Sequence, residues 1–347
     1  MKTHHRFLSI AALGLLSVLA VPNSRAGEYK FLKEIPIGGE GGWDYLSVDQ
    51  DARRLYVSHA TKVVVIDLDE DKVVGEVADT PGVHGIAEAP KLGLGFTSNG
   101  RENKASIFDL KTLKTNMKVE TGENPDAILF EGGKEEVYTF NGRGHSATVF
   151  EAKTGKVVAT IPLPGKPEFA QASPRAKRVY NNLEDKSEVA VIDTVEHKVV
   201  NTWPTAPGEE PSGMAFDNQH RRLFIGCGNK LLVMMNSQNG KVVASVPIGQ
   251  GVDATKFDRE TQLVFCSCGD GTVTIAHEDS ANELTVVQTL KTEPRARTMA
   301  LDPKTHKIYL ASAKFEAPKE QPSGGKKGGR PSVVPGTFKV LVYGMEK

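Results

Sequence analysis

Ionisable residues recur at matched positions along the chain: Asp44, His84, Asp126, Glu168, Asp253 and Arg297, with Ser212 filling the fifth of seven places. Each stands one residue into a short apolar run, as after Pro125, Pro167 and Pro211. Carboxylates converging with one imidazole suit a divalent cation, whether Mn²⁺, Ca²⁺, Mg²⁺ or Zn²⁺, according to how many reach it. Asp44, His84, Asp126, Glu168 and Asp253 are therefore the candidate metal ligands, with His84 as ligand or general base. The simpler reading is turn chemistry, because Asp and Ser cap turns and face water. Arg297 weakens the metal reading if it neutralises Asp253 or Asp44.

A second set recurs with the same spacing: His59, Asn99, Asn141, Leu183, Cys227, Cys268 and Ser312. Asn99-Gly100 and Asn141-Gly142 are first of all turn signals, since Asn and Gly tolerate left-handed backbone. His59, Asn99 and Asn141 join Trp43 and Arg297 as candidate ligand-binding residues on the same face. Cys227 and Cys268 can bridge only if their Cα atoms approach within about 7 Å. With Cys266 or His59 they would instead make a soft-metal site. The sequence holds no HExxH, CxxC pair, GxSxG or strand-to-helix GxGxxG to point to a set reaction.

Elements of one kind must carry both sets. The segment "RRLYVSHATKVVVIDLDEDKVVGEV" (residues 53–77) recurs at a shift of about 42 residues, a period characteristic of solenoids and propellers. Its first strand returns as "LGLGFTSN", "EEVYTFN", "KRVYNN", "RRLFIGC", "QLVFCSC" and "HKIYLAS". The copies are β-branched and aromatic, bounded by Gly, Asp, Asn and Pro, with no competing helical period. Seven four-stranded meanders predict an all-β, seven-bladed β-propeller. The last copy stops after its third strand, "FKVLVYGMEK", whereas "EYKFLKEIPIGG" near the start matches a fourth strand. The N-terminal strand is thus expected to complete the last blade and close the ring.

Tyr56-Val57-Ser58-His59, Phe96-Thr97-Ser98-Asn99 and Tyr138-Thr139-Phe140-Asn141 resemble the Tyr-Val-Thr-Asn signature of the YVTN-repeat propellers. All seven repeats look YncE-like. The resemblance implies an exported propeller and says less about activity; the best-known relatives resemble single-stranded DNA binders, and others look like surface or electron-transfer accessories.

Lys2 and Arg6, an apolar run from Phe7 to Val21 and Ser24-Arg25-Ala26 read as a signal peptide cut after Ala26. The mature domain, 27–347, is then expected in the periplasm or outside the cell, with no membrane span. It would carry 40 basic against 43 acidic residues, which argues against a phosphate-binding surface as its main theme. Three cysteines are too few for a disulfide scaffold. An insertion at residues 313–338 breaks the last repeat, and its Lys319, Lys326, Lys327 and Arg330 would make a basic lid or docking arm, or a tolerated surface loop.

Function falls into three classes. A binding or scaffold module would present the channel mouth to a small molecule, a metal or an envelope protein. A metal-assisted, lactonase-like hydrolase or lyase would use the carboxylates to hold its cation. Nucleic acid would need a basic groove with stacking aromatics, for which Trp43 and the insertion are the available material.

Overall fold

The computed structural model describes residues 27–316 and 332–345. Residues 1–26, read from the sequence as a signal peptide, and the four basic residues of the insertion lie outside them. The described chain forms seven four-stranded antiparallel sheets arranged as a β-propeller, and among the described residues there is no α-helix. Blades 1 to 6 each take four consecutive strands, beginning with Leu46–Asp49, Val83–Ala89, Pro125–Glu131, Pro167–Ser173, Pro211–Asp217 and Val252–Asp258 at the axis. Blade 7 takes Met299–Asp302, Lys307–Ser312 and Lys339–Met345, and its outermost strand is Tyr29–Pro36. Ring closure by the N-terminal strand therefore follows the sequence pattern.

The strands form where both faces of a segment are apolar. In Arg54–His59 every residue after the first is buried, and Lys62–Asp67 buries its four central residues, so both middle strands of blade 1 read as continuous hydrophobic runs. The outer strand Lys72–Val77 is mostly exposed, Val73 and Val74 included. A left-handed residue turns the innermost strand into the second in all seven blades: Arg53, Gly93, Glu135, Lys177, Arg221, Gln262 and His306. Asp49, Glu131, Asp217, Asp258 and Asp302 precede that turn and accept its free backbone N–H groups, which stabilises it without glycine.

The apolar core divides into seven clusters, each lying between two neighbouring blades. The seam between blades 7 and 1 is filled by Leu55, Val57 and Ile66 on one side and by Tyr309, Phe338 and Val340 on the other, with Ile35 from the N-terminal strand. Tyr29 anchors that strand. Its ring packs edge-on against Phe265 at 5.1 Å, and its hydroxyl donates to the His306 carbonyl. The Gln288 side chain brackets its backbone, accepting from the Tyr29 N–H at 2.9 Å and donating to its carbonyl at 2.8 Å.

Tyr29→Ala should lower the unfolding free energy by about 3–5 kcal/mol, the cost of deleting a large buried side chain. Val73→Ala, on the exposed outer strand of blade 1, should stay within about 0.5 kcal/mol. Chemical denaturation of both variants checks the pair.

Candidate functional site

Every innermost strand begins at one mouth of the central channel. In blades 2 to 6 its first residue pairs with the last residue of the second strand: Val83 with Asn99, Pro125 with Asn141, Pro167 with Leu183, Pro211 with Cys227 and Val252 with Cys268. His84, Asp126, Glu168, Ser212 and Asp253 follow those residues and stand on the rim with Asp44 and Arg297.

Side chains of the second strands hold the rim backbone. Ser58 Oγ accepts from the Asp44 N–H at 2.7 Å, Asn182 donates to the Ser212 carbonyl at 2.6 Å, and Asn181 donates to the Glu168 carbonyl at 2.9 Å. Ser98 donates to the Asp126 carbonyl and Ser267 to the Arg297 carbonyl, so in these cases one blade positions the rim residue of the next. Glycine makes room for the close approach. A Cβ on Gly213 would lie 2.5 Å from the Thr255 nitrogen, and one on Gly100 would lie 2.6 Å from His84 Nε2.

The rim residues meet in two groups. His84 Nδ1 lies 2.6 Å from Asp44 Oδ2 and 3.9 Å from Asp126 Oδ1, and the three donor atoms all fall within 4.8 Å of one another. Glu168 instead takes Lys166 at 2.7 Å, which also pairs with Glu184. Arg297 Nε sits 3.2 Å from Asp253 Oδ2, an oxygen that is buried and receives no hydrogen bond. Arg297 therefore offsets Asp253 and leaves the Asp44–His84–Asp126 group alone.

Burial, with crowding of like charge, sets the electrostatics. Burial and the neighbouring carboxylates raise the carboxyls of Asp126 to about 6, Glu168 to about 8 and Asp253 to about 7, against the pull of His84, Lys166 and Arg297 respectively. Burial pulls the His84 imidazole down, but its hydrogen bond to Asp44 and the field of Asp126 and Glu168 carry it up to about 9. The Tyr45 phenol stands in the same field, and burial with the four carboxylates raises it well above its usual range.

The residues of the second set do not join this group. Asn99 donates to Glu102 and Ser106 and Asn141 to Ser146 and Thr148, so each ties its own blade together. His59 is buried against Phe338, with ring centroids 4.4 Å apart, and both its nitrogens lack a hydrogen bond. Trp43 stacks on Phe338 at 5.0 Å and touches Phe315 at 6.0 Å, in the seam between blades 7 and 1. Cys227, Cys266 and Cys268 are unbridged and buried, and burial raises the thiols of Cys227 and Cys268 to about 12 and that of Cys266 still higher.

Several side chains along the channel escaped the sequence reading. Tyr45 of blade 1 and Phe169 of blade 4 belong to blades that are not neighbours, yet their rings meet at 5.5 Å next to the rim residues Asp44 and Glu168. Beyond them Lys256 lies over the Phe169 ring at 4.9 Å, and Glu88 accepts from Ser47 at 2.7 Å. Glu88, Lys256 and Gln171 line an open cavity of about 460 Å³ at the opposite mouth. Both aromatics were visible as the residue after Asp44 and the residue after Glu168. Nothing in the repeat announced that two of seven such positions would bridge the axis.

No family model matches the chain, and no curated protein matches it. Its fold is similar to a solved structure of Kuenenia stuttgartiensis hydrazine synthase, with a TM-score of 0.71 at 16% identity, covering 78% of this chain and 92% of that one. The likeness is one of fold. It places the chain among β-propeller structures and carries no substrate with it.

Burial raises Glu88 from about 4.5 to about 7, with Ser47 and Lys256 opposing and Asp49 adding to the rise. A carboxyl whose folded value lies above its unfolded value stabilises the fold at low pH and loses that contribution as pH climbs through the folded value. Glu88→Gln should therefore melt level with the native protein near pH 4 and above it at pH 8. A series of thermal melts across that range checks the crossover.

Proposed function

We propose that this chain is an exported β-propeller binding module whose channel mouth takes a divalent cation, which in turn holds an anionic or oxygen-rich ligand. One observation carries the reading: Asp44 Oδ2, His84 Nδ1 and Asp126 Oδ1 converge within 4.8 Å on a rim already crowded with carboxylates. A cation there relieves the repulsion that raises Asp126, and its donor set of two carboxylates and an imidazole fits Mn²⁺ or Zn²⁺. Arg297 and Lys166, each already beside a carboxylate, supply positive charge at the edge for a ligand's anionic groups. Tyr45 and Phe169 give the site an aromatic floor.

Export rests on the N-terminal residue pattern, and a YncE-like kinship on the Tyr-Val-Ser-His and Phe-Thr-Ser-Asn repeats, with which a seven-bladed propeller is consistent. Among the described residues no helix is long and apolar enough to cross a membrane. The single-stranded DNA reading draws less support, because Trp43 is engaged with Phe338 and Phe315.

The test is elemental analysis and calorimetric titration of the mature protein, purified without a metal-binding tag. Native protein should bind Mn²⁺ or Zn²⁺ at the mouth, and the Asp44→Asn, Asp126→Asn double variant, isosteric and folded, should lose one equivalent. Equal metal content in both proteins would remove the cation from the mouth.

A second reading, metal-assisted hydrolysis of a lactone or ester, is favoured by Glu168. Its carboxyl keeps a proton up to about 8, as a general acid or base beside the cation would need. On this reading Glu168→Gln abolishes turnover of a lactone panel while its metal content stays unchanged. No turnover by the metal-loaded native protein on such a panel would leave binding as the activity.

A further inference from the structure

Repeat symmetry provides an internal comparison at every position. In blades 1 to 5 the backbone N–H just after the third strand donates to the carbonyl of the left-handed turn residue: Leu68 to Arg53, Leu110 to Gly93, Ala152 to Glu135, Thr194 to Lys177 and Ser237 to Arg221. In blade 6, whose third strand runs on to Ser280, the same bond comes from Glu278, to the Gln262 carbonyl at 2.9 Å. All six residues are buried, so a position that elsewhere holds an aliphatic or small hydroxyl side chain here holds a carboxylate that is 2% exposed.

Neither oxygen of that carboxylate has a hydrogen-bond partner. Burying an ionised carboxylate with its oxygens unsatisfied is among the costliest arrangements a protein can hold. The residues facing it are an acid and an imidazole from blade 5. His220 Nδ1, itself without a hydrogen bond, lies 3.2 Å from Glu278 Oε1 and 3.2 Å from Asp217 Oδ2. The donor atoms of Asp217, His220 and Glu278 all lie within 4.8 Å of one another.

Other charges do not resolve the site. Arg222 is close enough to act on Glu278, but its guanidinium donates to the carbonyls of His220, Arg221 and Ala281 and to the Asn282 side chain. Asp217 accepts the Gln219 and His220 backbone N–H groups and keeps a lone pair free on each oxygen. At the turn position that Gln262 occupies in blade 6, His306 and Arg53 in other blades each pair with a carboxylate of the preceding blade, Asp258 and Asp302, at normal hydrogen-bond distance. Blades 5 and 6 set two carboxylates and one imidazole around a shared point instead.

We propose that Asp217, His220 and Glu278 bind a divalent first-row cation, Zn²⁺ or Mn²⁺, that pins blade 5 to blade 6 near the face opposite the acidic rim. One imidazole and two carboxylates match those ions and fall short of the roughly six to eight oxygens that Ca²⁺ takes. His220 is half-buried, which leaves a side open for water to complete the coordination. The site is separate from the channel mouth and stands whether or not the mouth binds metal.

The experiment uses the full mature protein carrying Asp44→Asn and Asp126→Asn, so that the mouth cannot contribute, and compares it with the same protein carrying Glu278→Leu. Leucine is the residue at this position in blades 1 and 2, so the fold has a precedent for it. After chelation and dialysis, Zn²⁺, Mn²⁺ and Ca²⁺ are titrated with calorimetric and thermal-melt readouts. Zn²⁺ or Mn²⁺ should bind at one equivalent and raise the Tm by several degrees when Glu278 is present, and should do neither with leucine there. Without metal the leucine protein should melt higher, because a buried carboxylate whose oxygens receive no hydrogen bond has been removed. Equal binding with and without Glu278, or no Tm response to any of the three ions, would overturn the site. Should Glu278→Leu not fold, His220→Ala, at a half-exposed position, must lose the same equivalent, and its retention would overturn the site equally.

Discussion

Closure of the ring is the constraint on which the rest of the structure depends. Each blade buries both faces of its middle strands against its neighbours, so no blade covers its own apolar surface and stability resides in the seams. The seam between blades 7 and 1 differs in that it joins the two ends of the described chain: Ile35 comes from the first strand, while Phe338, Val340 and Val342 come from or lie beside the last. Until the N-terminal strand pairs with Lys339–Met345, one blade lacks its outer strand. Tyr29, bracketed by Gln288 of blade 6 and bonded to His306 of blade 7, makes that pairing a tertiary event as well as a sheet edge.

Closure also makes the rim. Seven innermost strands that start on one circle bring their early side chains toward a common axis whatever those side chains are, so charge patterning along the repeat becomes charge density at the mouth. Backbone bonds from Ser98 and Ser267 to the following blade fix that convergence, and Gly213 lets the blade 5 strand approach blade 6 closely enough to keep it. The acids are half-buried and cannot spread apart to lower their repulsion, and their carboxyls rise. The Tyr45–Phe169 contact lies between the acidic rim and the end that sets Glu88 near Lys256, two chemistries on one axis.

The fold was legible because it is written seven times. Strand type, blade number and the role of the N-terminal strand all follow from a repeat in which Tyr56, Phe96, Tyr138 and their counterparts recur in phase. The rim positions were legible for the same reason, and the structure brings Asp44, His84 and Asp126 together. What the repeat could not reveal are contacts between unlike positions of different blades. Phe169 meets Tyr45 across the axis, Arg297 turns to Asp253, and Lys166 draws Glu168 aside; each depends on side-chain reach within a closed ring. His59 and Trp43 read as mouth residues because their backbone lies there. Their side chains turn into the seam with Phe338, a partner beyond the insertion that no local pattern connects to them.

A repeat protein also shows where its own rule is broken. Asp44, His84 and Asp126 occupy equivalent positions, so their proximity arises from symmetry. Asp217, His220 and Glu278 occupy three different kinds of position, and Glu278 replaces side chains that elsewhere need no partner. Symmetry gives no reason for a carboxylate there, and the fold tolerates leucine, alanine, threonine or serine in the same hydrogen-bonded setting. The physical cost of the exception has to be met locally, by whatever neutralises two buried carboxylates on either side of one imidazole. For that reason the departure from the repeat points to a ligand more sharply than the more heavily charged rim does.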